Sequence, residues 1–158
     1  MTLPEEYKNT LIEVEGASSD YDVDWAVTGS IGRTLQGMEL EEENPDIDIV
    51  TDKESLETLH QELQEYSESD ISYDNSMEIY GNQLSFHKFE AEIKGVEIEF
   101  LGNFEVNDES VYGDYNPNNV EVDGVQIPTV PLEKELEGNG KTGRTEIANR
   151  IEDYISEN

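Results

Sequence analysis

Apolar positions recur along this chain with two periods and mark out alternating helices and strands. Tyr7, Leu11 and Val14 fall near one face of a helix predicted over residues 3–16, with Pro4 suited to its first turn. After a loop at 18–21, a strand is predicted over 23–28, where the apolar run Trp25-Ala26-Val27 stops at Gly29-Ser30. That stop predicts a buried strand ending in a tight turn. Ser30 stands where a helix N-cap would stand, and a helix over 30–37 is expected to follow. The acidic run 39–43 reads as a solvated connector. In 46–51, Ile47 and Ile49 alternate with Asp46 and Asp48, which predicts a strand with its two acids on one face.

Leu56, Leu59 and Leu63 give a third helix over 53–66. Short strands are expected at 71–73 and 77–80, then a longer one at 83–93 that turns at Lys94-Gly95. In the strand 96–101, Val96, Ile98 and Phe100 point one way and Glu97, Glu99 and Leu101 the other. Residues 102–119 read as a loop, and 120–127 as a hairpin turning at Asp123-Gly124. Pro131 leads into a short helix at 132–136, and Gly138-Asn139-Gly140 reads as a flexible joint. Lys141-Thr-Gly-Arg144 then opens a last helix with Ile147, Ile151, Tyr154 and Ile155 as its apolar stripe. No repeat or low-complexity linker interrupts the pattern, so residues 1–158 are expected to form one domain.

Charge changes the picture. The 158 residues carry 39 acids against 9 bases, a net charge of −30, with only six lysines. Such a charge opposes compaction in dilute salt. Low hydrophobicity and high charge are also the signature of disorder. The periodic apolar pattern and the 8 Tyr, 4 Phe and 1 Trp argue instead for a folded protein adapted to molar salt, where screening shortens to about 3 Å. The expectation is a halophilic cytoplasm, and a halophilic archaeon as source. There is no Cys, which removes disulfides and thiolate metal sites. No apolar run approaches the roughly 18 residues of a membrane span, and no leader pattern opens the chain, so a soluble cytoplasmic protein is expected. The acidity disfavours broad nucleic-acid binding, although acidity generic to a halophile does not exclude it.

Two places carry chemistry. A turn at Gly29-Ser30 aims backbone N–H groups and a hydroxyl at one point, where anions bind. Asp46 and Asp48, roughly 6–7 Å apart along a strand, can hold Mg²⁺, a hard cation that keeps substrate phosphates in its shell. A calcium loop needs a turn with Gly at its sixth position, which the apolar Ile47, Ile49 and Val50 oppose. His60 and His87 each lack a second His at ligand spacing and read as structural or exposed. Lys141, Arg144 and Arg150 gather three of the nine cations within ten positions. They either meet a triphosphate or second substrate, or neutralise nearby acids and pack the last helix.

Strand, Gly-Ser, helix and Asp-x-Asp on the next strand resemble the nucleotidyltransferase superfamily, which includes DNA polymerase β and the antibiotic-modifying nucleotidyltransferases. The match runs through Val27-Thr28-Gly29-Ser30 and Asp46-Ile47-Asp48. The small and toxin–antitoxin-associated members often carry Gly-Ser-x-Ala-Arg-Gly; here Gly29-Ser-Ile-Gly-Arg33-Thr34 departs at Gly32 and Thr34. The resemblance implies an α/β (α+β) fold with a small mixed sheet flanked by helices. It implies transfer of a nucleoside monophosphate from an NTP to an acceptor hydroxyl of a protein, RNA or small molecule. Two Mg²⁺ ions would sit on Asp46, Asp48 and a third carboxylate before two apolar residues, a slot that Glu99-Phe100-Leu101 fits and for which Glu97 is the rival. Gly29, Ser30 and Arg33 would bind the nucleotide, with Lys141 and Arg144 as further phosphate cations. The other function carried by the same resemblance is a non-catalytic nucleotide binder or toxin–antitoxin partner.

Overall fold

Where the helical and strand periods alternate in sequence, the computed structural model alternates helices and strands in space. It describes residues 3–112 and 114–158; Met1, Thr2 and Gly113, the last within the predicted loop, lie outside the described residues. Among these are five α-helices: α1 (Glu5–Ser18), α2 (Gly29–Leu35), α3 (Lys53–Glu62), α4 (Leu132–Thr142) and α5 (Thr145–Glu157). The strands are β1 (Trp25–Thr28), β2 (Ile47–Thr51), β3 (Ser72–Asp74), β4 (Glu78–Ile79), β5 (Asn82–Ile93), β6 (Val96–Val106), β7 (Glu109–Ser110), β8 (Asn118–Val122) and β9 (Val125–Thr129).

The sheet is mixed and flanked by helices, as the resemblance implied. Its order is β3-β5-β6-β2-β1-β9-β8, with β4 on β5 and β7 on β6. β2 runs antiparallel to β1 and parallel to β6, and β1 runs parallel to β9. One face is the main core. Tyr7, Leu11 and Val14 of α1 and Leu56 and Leu59 of α3 pack on Val27, Ile47, Ile49, Ile98 and Phe100. Phe89 and Phe100 stack here across β5 and β6 with centroids 4.4 Å apart. Full burial of such a side chain contributes about 1.5–3 kcal/mol, and many of them together fix the strand register.

Period two then forces Thr28, Asp48 and Glu99 onto the opposite face. That face is covered less completely, by the chain after β7 and by α4. Its apolar part is Ala26, Val50 and Val130, joined through Leu101 and Tyr112 to Leu84, Phe86, Val106 and Val111.

The structure corrects four expectations. Residues 102–119 are not a loop throughout: β6 continues to Val106, β7 follows, and β8 begins at Asn118. Sequence reading ended the strand at Leu101, and the alternation beyond it is broken by a β-bulge. Ser85 pairs Glu105 and His87 pairs Gly102, so across the bulge Asn103 and Phe104 of β6 lie opposite the one residue Phe86 of β5. Asn103 takes φ 51° at this point. Gly102 keeps its place because a Cβ there would lie 2.9 Å from Leu56 Cδ2. Second, Gly138-Asn139-Gly140 is not a joint but lies inside α4, with Gly138 pressed on Val111. Third, Lys141 belongs to the end of α4, which stops at the left-handed Gly143 (φ 82°). Fourth, Thr28, not Ser30, occupies the N-cap of α2.

Candidate active site

The turn after β1 is built around a close approach. Gly29 has φ 68°, and a Cβ on it would lie 2.7 Å from Asp48 Oδ2. Only glycine lets the carboxylate of the neighbouring strand rest against this backbone. Gly32 does the same for the helix: a Cβ would meet the Val27 carbonyl oxygen at 2.7 Å, so α2 lies directly on β1.

Register brings the acids together. Thr28 pairs Asp48 across β1 and β2, Asp48 pairs Glu99 across β2 and β6, and Glu99 pairs Glu90 across β6 and β5. Asp46 lies just before β2, exposed, after a Pro45 whose carbonyl accepts a hydrogen bond from the Tyr7 hydroxyl at 2.6 Å. Tyr7 on α1 thereby fixes the chain as it enters the strand. Glu97 lies two residues from Glu99 on the same face, but its cluster is with Glu68 and Glu92. Among the described residues those three are the acids whose oxygens converge within 4.8 Å; Asp46, Asp48 and Glu99 do not converge so closely. A hydrogen bond with Glu68 leads the causes that push Glu97 up to about 7.

Asp48 and Glu99 open into a cavity of about 260 Å³ that also exposes Gly29, Arg33 and Arg144. Larger hollows of about 460 Å³ beside Asp24 and Asp52, and of about 530 Å³ between α2 and α5, contain neither acid. The bulge in β6 completes the cavity's apolar wall. With one residue inserted, Leu101 and Phe104 both face this side, beside Leu84 and Phe86. Two other residues expected at the site lie elsewhere. The Ser30 hydroxyl donates to Glu42 Oε1 at 3.0 Å, and Lys141 Nζ lies 3.3 Å from Glu137.

Electrostatics set the state of these acids. Burial, then Glu99, Asp46 and Glu135, push Asp48 up to about 7, while Arg144 opposes the rise. Burial likewise raises Glu99. Partly buried carboxylates that repel one another with little cationic relief are a donor set suited to a hard divalent cation.

Sequence reasoning missed Glu135. It comes from α4, is 1 % exposed, and lies against the turn. It accepts hydrogen bonds from the Thr28 hydroxyl, from Gly29 N–H at 3.1 Å and from Asn139 Nδ2 at 3.4 Å, and it pairs with Arg33 at 3.8 Å. Burial raises its pKa, and these four partners oppose the rise. Its only sequence signal was an acid on the α4 face shared with Gly138, Asn139 and Thr142, the buried side of that helix.

A mixed sheet with a Gly turn and paired carboxylates at one cavity defines a nucleotidyltransferase. More narrowly, the chain belongs to the aminoglycoside-2''-adenylyltransferase family, whose model matches residues 10–147. Among solved structures it is similar to a Thermotoga maritima protein provisionally assigned as a nucleotidyltransferase, at 27% identity and a TM-score of 0.77, over 99% of this chain and 97% of that one. It is also similar to ANT(2'')-Ia in complex with adenylyl-2''-tobramycin, at 11% identity and a TM-score of 0.49, over 96% and 98% of the two chains. No curated protein matches it. No helix among the described residues is long and apolar enough to cross a membrane.

Proposed function

We propose that the chain is a Mg²⁺-dependent nucleotidyltransferase that moves a nucleoside monophosphate from an NTP to an acceptor hydroxyl, working in a salt-rich cytoplasm as one domain. The observation that carries this reading is the register Thr28–Asp48–Glu99, which stands two carboxylates side by side next to a glycine turn at one cavity.

Asp48 and Glu99 would hold the metal from within the cavity, with Asp46 contributing from its rim. Bound there, Mg²⁺ would neutralise phosphate oxygens and lower the pKa of the attacking hydroxyl. The chain's own residues do the rest. Arg144 stands at the same cavity as a counter-charge for phosphate. The turn at Gly29 faces the same cavity and would orient the triphosphate, with Arg33 behind it; Ser30 and Lys141, bonded to Glu42 and Glu137, stand outside the cavity lining. The wall of Leu101, Phe104 and Phe86 excludes water from one side and suits the flat apolar surface of a base. The acceptor oxygen bonds to the α-phosphorus while the bond from that phosphorus to pyrophosphate breaks. Glu99, beside Asp48 at the cavity, would stand on the side of the attacking hydroxyl and help take its proton.

The test is transfer of label from α-labelled ATP with Mg²⁺ in molar KCl, with an aminoglycoside as the first acceptor because the family is named for one. Label transfer abolished in D46N and D48N is expected. Mg·ATP binding without transfer to any acceptor offered would favour a non-catalytic role, such as one half of a toxin–antitoxin pair.

A further inference from the structure

We propose that Arg33 is a positioning residue locked to Glu135, and that Arg144 is the protein cation that meets the triphosphate. The assignment rests on the nucleotidyl-transfer reading above and divides the labour between two arginines at one cavity.

The case begins with the supply of cations. Among the described residues, seven of the nine basic side chains stand within 4.0 Å of a carboxylate; Lys53 and Arg144 do not. Lys53 opens α3 and is absent from the cavity lining, whereas Arg144 is part of it.

Arg33 faces the cavity too, but its charge is already answered. Its side chain is 12 % exposed and lies 3.8 Å from a Glu135 that is itself 1 % exposed. Glu135 also accepts from Gly29 N–H and from the Thr28 hydroxyl. Pair and turn therefore form one unit. To take Arg33, an incoming phosphate would have to displace a buried carboxylate that already accepts three hydrogen bonds, and leave it without its cation in low dielectric. The geometry favours keeping the pair, so that it fixes the turn against which Asp48 rests.

Arg144 is placed by the same helix. Asn139 donates to the Glu135 carbonyl at 2.7 Å, and the Asn139 carbonyl accepts the Arg144 N–H at 2.9 Å. Gly143, left-handed at φ 82°, ends α4 and turns the chain so that Arg144 reaches the mouth of the cavity while remaining exposed. A guanidinium at that point can reach phosphate oxygens in a fork without first breaking an ion pair.

The experiment is calorimetric titration of Mg·ATP into the full chain in molar KCl. R144Q should weaken binding about tenfold or more, and R144K should recover only part of that loss, because a lysine supplies the charge without the fork. E135Q should weaken it less, and R33Q should add under about twofold when E135Q is already present, the non-additivity of residues that act as a unit. An R144Q protein that binds as wild type overturns the assignment. So does an E135Q protein that binds more tightly, because Glu135 would then be a competitor of phosphate. So does an R33Q loss equal in both backgrounds. Arg144 is exposed, so its arm stands even where a change at Glu135 prevents folding. Wild-type protein that binds no Mg·ATP overturns the nucleotidyl-transfer reading and this one with it; normal wild-type binding with an inert R144Q overturns this one alone.

Discussion

Replacing Asp48 by Asn should stabilise the metal-free protein while destroying its site. Asp48 is held at about 7 against an ordinary 3.8, chiefly by burial and then by Glu99, Asp46 and Glu135. At neutral pH and above, that rise corresponds to about 4 kcal/mol of opposition to folding, taking ~1.4 kcal/mol for each tenfold in proton affinity. Local relaxation and the high effective dielectric of real sites reduce it, and the expected gain for D48N is about 2 kcal/mol. For a chain of this length that is about 4–8 °C in Tm. The sign follows from the raised pKa. The contribution of this group to stability is fully present below about 4 and is lost as pH rises through about 7. The advantage of D48N should thus be largest near pH 8 and vanish near pH 4. Differential scanning calorimetry at constant molar KCl with EDTA measures it. Added Mg²⁺ should then raise the wild-type Tm and leave that of D48N unchanged. A D48N protein that melts no higher than wild type at pH 8, or a difference that is flat with pH, would refute the electrostatic account.

Two further predictions test the frame of the site. G29A forces a Cβ into a left-handed residue, at about 1–2 kcal/mol, and into the Asp48 carboxylate 2.7 Å away; it should lower Tm and abolish Mg²⁺-dependent nucleotide binding, and calorimetric binding equal to wild type would contradict the packing described. The net charge of −30 should make stability depend on salt, because the screening length grows from about 3 Å at 1 M to about 10 Å at 0.1 M; circular dichroism should show a large fall in Tm as KCl is lowered across that range, and an indifferent Tm would remove the halophilic reading.

How legible the molecule was in its sequence depended on how local each signal is. Helix α1, the strands around Asp48 and Glu99, and the Asp123-Gly124 hairpin could be read because period and turn chemistry act over a few residues. Asp123 and Gly124 take φ 48° and 85°, as a two-residue turn of that composition requires. The second half of β6 could not be read, because a bulge reverses the alternation on which strand prediction rests. Helix α4 was cut short because Gly138 and Gly140 weaken an isolated helix. Tertiary packing supplies the difference: Gly138 fits where a Cβ would lie 2.9 Å from Val111 Cγ1. Glu135 was invisible for a compositional reason. With 39 acids present, any one of them carries no information until its surroundings show it to be 1 % exposed and to accept three hydrogen bonds.

The same acidity should make the site depend on cations. A triphosphate approaching this protein meets a strongly negative surface, and seven of nine basic side chains are already paired within the described residues. Asp48 and Glu99 lie at the approach itself, and both resist ionisation. Without a metal, nucleotide and carboxylates repel, and the single unpaired arginine at the cavity offsets only part of that charge. A divalent cation held by these carboxylates would turn the repulsion into attraction. Molar monovalent salt weakens the long-range field but screens buried groups much less. High salt would therefore ease folding of this chain without relieving its site, and the affinity of nucleotide should stay dependent on Mg²⁺ even in molar KCl.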